Sequence, residues 1–153
     1  MTDIIRVTRH EEFELAHVLT GYNGGCGRLH GHSYRIEVTV EGPQTDPFGM
    51  VVDFKDLKRV MKAVIPDHYF VYFEEDETGK DIASTLRRHG ILSKSLPFVT
   101  TAENMVSYFG KGIEEMLHEE GYTEVEVVEV RLWETTNSYA AYIKNKCKYK
   151  GEE

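Results

Sequence analysis

The chain has 153 residues, 41% of them hydrophobic, which fits one domain (1–153) with enough apolar side chain for a core and excludes a disordered protein. A net charge of −8 argues against nucleic acid as the main partner. No apolar run approaches the about 20 residues that cross a bilayer, and Asp3, Arg6, Arg9 and Glu11 interrupt any signal-peptide core, so the expectation is a cytoplasmic protein without membrane contact.

Phe13, Leu15, His17 and Leu19 alternate with Glu14, Ala16 and Val18, the period of a strand. A Gly-rich turn (Gly21, Gly24, Gly25, Gly27) leads from it to a second strand, Tyr34 to Val40, and the two are expected to pair antiparallel. His30 and His32 share one face of an extended backbone, and the pairing sets His17 opposite them. Three histidines leave a fourth position open on a tetrahedral zinc, the pattern of a catalytic site, although neutral imidazole also suits copper, nickel and iron. Cys26 lies in the turn just upstream, where it could fold back over the metal, either as a thiolate base or as a fourth ligand. Cys147, between Lys146 and Lys148, reads as a plain reduced thiol.

A loop rich in Gly and Pro (41–49) follows. Asp53 is a helix N-cap, Leu57, Val60, Met61 and Val64 fall on one helical face, and Pro66 stops the helix. Tyr69 to Phe73 is aromatic and reads as extended, whereas 76–95 is polar and reads as a solvated insertion. Thr100 or Thr101 opens a second helix with an apolar stripe of Met105, Phe109, Ile113 and Met116, ended by Gly121. A strand from Glu124 to Trp133, with a bulge at Val127–Val128, turns at Thr135–Ser138 into a last strand, Tyr139 to Lys144. The expected order is ββααββ: an α+β domain with a four-stranded antiparallel sheet and two helices on one face.

Three further positions offer chemistry, each with a plainer alternative. Asp67 beside His68 can orient the imidazole and raise its basicity, given a local turn, or the two are a helix cap and a solvated ring. Glu103 closes a Thr-x-x-Glu capping box with Thr100, or faces a site. Glu134 ends an apolar strand, where a carboxylate can accept two charge-assisted hydrogen bonds from an amidine-like edge, or it is a solvated terminus.

The runs Phe13-Glu14-Leu15-Ala16-His17 and Cys26-Gly27-Arg28-Leu29-His30-Gly31-His32 resemble the superfamily of 6-pyruvoyltetrahydropterin and 6-carboxytetrahydropterin synthases, and the Cys-x-x-x-His-Gly-His spacing is similar to its bacterial 6-carboxytetrahydropterin type. The resemblance covers nearly the whole chain except 76–95. It implies a tunnelling fold (T-fold), in which sheets from several subunits close into a barrel and two trimers stack as a homohexamer. It implies Zn2+ on His17, His30 and His32, Cys26 as the base, and Asp67–His68 as its relay. It also implies Thr101, Glu103 and Glu134 around the pterin, since Thr101-Ala102-Glu103 and Glu134-Thr135 match family motifs. The implied reaction converts 7,8-dihydroneopterin triphosphate to 6-carboxytetrahydropterin, acetaldehyde and triphosphate in queuosine biosynthesis. A 6-pyruvoyltetrahydropterin synthase and a non-catalytic zinc or pterin binder are the alternatives. The net charge of −8 sits awkwardly with a triphosphate and calls for local positive charge.

Overall fold

A computed structural model describes residues 3–145. Cys147 lies outside the described residues. Ten elements follow in order: strand β1 (Ile4–His17), a 3-10 turn (Gly25–Gly27), strand β2 (His30–Pro43), helix α1 (Phe54–Val64), strand β3 (Tyr69–Phe73), helix α2 (Glu77–Arg88), strand β4 (Ser93–Leu96), helix α3 (Ala102–Glu119), strand β5 (Glu126–Thr135) and strand β6 (Ser138–Ile143). One sheet carries all six strands in the order β4-β3-β1-β2-β5-β6.

Strands β1, β2, β5 and β6 realise the expected four-stranded antiparallel core. β1 pairs β2 from Ile4↔Pro43 to His17↔His30, far beyond the stretch that the alternation marks. β2 pairs β5, and the register slips between Thr39 and Val40 opposite Val127–Val128, which is the expected bulge. β5 turns through Thr136 and Asn137 into β6. Along β2, Tyr34, Ile36, Val38 and Val40 are buried on one face, and Val130 and Leu132 of β5 join them.

Helices α1 and α3 cover that face. Asp53 caps α1 by accepting from the Lys55 N–H at 2.7 Å, and the helix ends before Pro66. Leu57, Val60 and Met61 of α1 and Met105, Phe109, Ile113 and Leu117 of α3 are buried against the sheet. Each such side chain contributes roughly 1.5–3 kcal/mol by leaving water. Gly121 follows the end of α3 at φ +101°, and its N–H donates to the His118 carbonyl at 3.0 Å.

Residues 69–96 depart from the expected ββααββ. Tyr69–Phe73 is extended, as expected, and forms β3, which runs parallel to β1 through Leu15↔Tyr69 and Ala16↔Phe70; the polar stretch that follows carries α2 and β4, and β4 runs parallel to β3. The sheet therefore has six strands instead of four, and a third helix joins the two expected ones. That helix, α2, packs on the opposite face of the sheet. Phe70, Tyr72 and Ala83 form a small second core there with Ala16, Val18, Ile82 and Leu86. β3 is apolar on both faces because each face has its own core, Val71 pointing into the large one and Phe70 and Tyr72 into the small one.

Candidate metal centre and active site

The strand register builds the histidine cluster. His17 lies opposite His30, and His32 lies opposite Leu15 one pleat further along the same face. Gly31 falls on the other face, where a Cβ would stand 2.9 Å from the Leu15 carbonyl oxygen, so its missing side chain serves the close strand pairing and not the space between the rings. The nearest pair is His17 and His30, Nε2 to Nε2, at 3.1 Å. One ring nitrogen from each of His17, His30 and His32 lies within 4.8 Å of the others.

The donor set fits a metal. His17 Nδ1 donates to the Thr100 carbonyl at 2.8 Å and His30 Nδ1 to the Arg28 carbonyl at 2.6 Å. A carbonyl only accepts, so each Nδ1 carries the proton and each Nε2 presents a lone pair. His32 Nε2 is buried without a hydrogen-bond partner. Burial, above all, holds His17 and His32 below the ordinary histidine value, which favours the neutral ring that a metal needs. The 3.1 Å separation is close to the roughly 3.3 Å edge of a tetrahedron with 2.0–2.1 Å zinc–nitrogen bonds.

Glu134 stands at the open side of this cluster. Its Oε1 is 3.5 Å from His32 Nε2. Beside His32 lies Tyr34, fully buried, its ring 5.4 Å from that of His32 and stacked on Phe13 at 5.2 Å. Burial first, and the Glu134 carboxylate next, raise the Tyr34 hydroxyl far above its ordinary value, so it stays protonated. Sequence reasoning did not single out Tyr34; the signal was its place two residues beyond His32 on the same strand face.

Glu134 also lines a cavity of about 420 Å³ with Glu103, Ala102, Val106, Ser138 and Tyr139. The capping box expected for Glu103 is absent: Thr101, not Thr100, is the N-cap of α3, accepting from the Asn104 N–H at 3.4 Å. Glu103 is thus one position too early to close the box, and it faces the cavity instead. Thr101 is occupied with the cap, while its neighbour Thr100 holds His17.

Cys26 sits half-buried in the 3-10 turn, its carbonyl accepting from the Leu19 N–H at 2.9 Å. Asp67 and His68 meet as the dipeptide requires. His68 has φ 62°, a strained value for a residue with a side chain, and this bend brings His68 Nδ1 to 2.8 Å from Asp67 Oδ1. Asp67 Oδ1 also accepts from the Glu14 N–H at 2.9 Å, and the His68 N–H donates to the Glu14 carbonyl at 2.7 Å. The pair is hooked onto the edge of β1 and exposed. Among the described residues no hydrogen bond or ion pair joins it to Cys26.

The profile of the family described as 6-pyruvoyl tetrahydropterin synthase matches residues 6–145. The chain belongs to the 6-pyruvoyl tetrahydropterin synthase family. Among similar family members, a 6-carboxy-5,6,7,8-tetrahydropterin synthase of Haemophilus influenzae is 32% identical over 145 residues, 91% of this chain and 99% of that one. A protein of the same name from Aquifex aeolicus is 37% identical over 122 residues, 76% and 75% of the two chains. The fold agrees with the Caenorhabditis elegans 6-pyruvoyl tetrahydropterin synthase at a TM-score of 0.68 and 22% identity, covering 94% of this chain and 98% of that one. An uncharacterized Wolinella succinogenes protein gives a TM-score of 0.73 at 20% identity, covering 94% and 100%. The likeness in fold therefore extends over nearly the whole chain. Among the described residues no helix is long and apolar enough to cross a membrane.

Proposed function

We propose that the chain is a zinc-dependent 6-carboxytetrahydropterin synthase that converts 7,8-dihydroneopterin triphosphate to 6-carboxytetrahydropterin, acetaldehyde and triphosphate. The observation that carries this reading is the 3.5 Å approach of Glu134 to His32, which joins a metal-ligand cluster and a pterin-sized cavity into one site. The names of the curated relatives support the carboxy product, and queuosine biosynthesis is the pathway that the family resemblance of the sequence implies for it.

Each residue then has a task. His17, His30 and His32 would hold the zinc, which when bound would supply Lewis-acid polarisation of the substrate's side-chain hydroxyls. Glu134 accepts from the 2-amino and N3 hydrogens of the pterin, and Glu103, across the cavity, accepts from the same ring system. Thr101 fixes Glu103 by starting α3 at that point. Tyr34, kept protonated by burial and by the Glu134 carboxylate, offers that carboxylate a neutral donor and adds no charge. Cys26 takes the side-chain proton and returns it.

Asp67–His68 completes the relay from a neighbouring subunit, because within one chain it has no contact with Cys26. The edge of β1 from Ile4 to Phe13, which β3 and Asp67–His68 leave free, and the exposed edge of β6 close the sheets of a homohexamer between them. Light scattering should give the mass of six chains; a monomer would reject this assembly.

Replacing Cys26 by Ala tests the assignment. The variant should keep zinc and pterin binding and lose about a hundredfold or more in turnover, the scale of general acid–base groups. Loss of zinc with the activity makes Cys26 a ligand instead. Turnover near the wild-type rate contradicts both roles and assigns the proton transfer to another residue.

A further inference from the structure

The segment from β3 to β4 reaches the loop that carries Cys26. Thr20 Oγ1 donates to Asp76 Oδ2 at 2.7 Å. The other oxygen, Asp76 Oδ1, accepts from the Thr78 N–H at 3.1 Å and caps α2. One carboxylate therefore fastens a helix with one oxygen and a loop with the other. Its backbone is also fixed: the Asp76 N–H donates to the Phe73 carbonyl at 3.0 Å, and the Asp76 carbonyl accepts from the Lys80 N–H at 2.9 Å. Gly79 leaves room for it, since a Cβ there would stand 3.0 Å from Asp76 Oδ2 and 2.9 Å from Tyr72 Cβ.

The loop is stiff enough to transmit this anchorage. Leu19, adjacent to Thr20, donates its N–H to the Cys26 carbonyl at 2.9 Å, and its own carbonyl accepts from the Tyr22 N–H at 3.0 Å. The Gly27 N–H donates to Gly24 at 3.1 Å and the Arg28 N–H to Gly25 at 3.0 Å. A Cβ at Gly27 would fall 2.1 Å from the Tyr22 carbonyl oxygen, so the two arms of the loop are in backbone contact. Moving Thr20 moves Leu19 and, through it, the Cys26 turn.

We infer that Asp76 is a positioning residue for Cys26, acting through Thr20 to hold the thiol's turn in register with the sheet. The inference rests on Cys26 being the reacting thiol. The β3-α2-β4 segment is then part of the working site, because it supplies a fixed point that the Gly-rich loop lacks.

The test uses zinc-loaded protein carrying Cys147→Ser, so that Cys26 is the sole thiol. Thr20→Val removes the donor and leaves the α2 cap intact, whereas Thr20→Ser restores the donor. Two quantities are read: kcat and KM with 7,8-dihydroneopterin triphosphate, and the rate of Cys26 alkylation by iodoacetamide. Thr20→Val should lower kcat by about ten- to a hundredfold with KM within about twofold, as a displacement near 1 Å does. The alkylation rate should change by about threefold or more, because reactivity follows the thiol's surroundings. Zinc content should stay at the wild-type level, and Thr20→Ser should restore both readouts. Wild-type kcat and alkylation in Thr20→Val overturn the inference, and so does a loss that Thr20→Ser fails to restore. A changed alkylation rate beside full turnover in both Thr20→Val and Cys26→Ala supports the tether and places the failure in the role of Cys26.

Discussion

His17 Nε2 and His30 Nε2 face each other at 3.1 Å while the opposite nitrogen of each ring donates to a backbone carbonyl. Both Nε2 lone pairs thus face one point, which suits a shared cation.

Replacing His30 by Ala should accordingly abolish stoichiometric zinc and leave the fold largely intact, since His30 is only half-buried and the core lies further along β1 and β2. Metal analysis of the purified variant checks this. Full zinc retention would show that the three rings are not the ligand set.

Acid should act on the same rings. Burial, opposed by the bond to the Thr100 carbonyl and aided by His30, holds His17 below its ordinary value of 6.5. The unfolded chain then binds the proton better than the folded one. His17 contributes stability that is fully present above about pH 6.5 and is lost as the pH falls below it. The melting temperature of metal-free protein should drop between about pH 7 and pH 5, and His17→Gln should flatten that slope. Equal slopes in the two proteins would remove His17 as the cause.

The histidine cluster was legible because a strand's period of two is short: His17, His30 and His32 needed only one hairpin to meet. α1 and α3 were legible for a similar reason, with long apolar stripes and caps at both ends. α2 was hidden by small residues. Its inward face is Gly79, Ile82, Ala83 and Leu86, a helical spacing in which two of the four positions carry little or no side chain. β4 reads Ser-Lys-Ser-Leu, with no pattern of its own, and its parallel partner β3 is set by a crossover through α2. Glu103 misled for a different reason. Thr100 and Thr101 both suit an N-cap, and which one caps is decided by the tertiary bond from His17 to the Thr100 carbonyl.

The anchor has its own signature. Glu134→Gln keeps the size and removes the charge, and charge-assisted hydrogen bonds contribute roughly 1.5–3 kcal/mol. Pterin affinity should fall by about ten- to a hundredfold in calorimetry. Zinc content should not change, because Glu134 lies beside the ligand cluster and not in it. Unchanged affinity would move the anchor elsewhere, with Glu103 the next carboxylate on the cavity.

The central claim is the fate of the substrate's side chain. Zinc-loaded protein incubated with 7,8-dihydroneopterin triphosphate should release triphosphate and acetaldehyde, and mass analysis should show 6-carboxytetrahydropterin. A product that retains all three side-chain carbons would make the protein a 6-pyruvoyltetrahydropterin synthase, and unreacted substrate would contradict the enzymatic reading altogether.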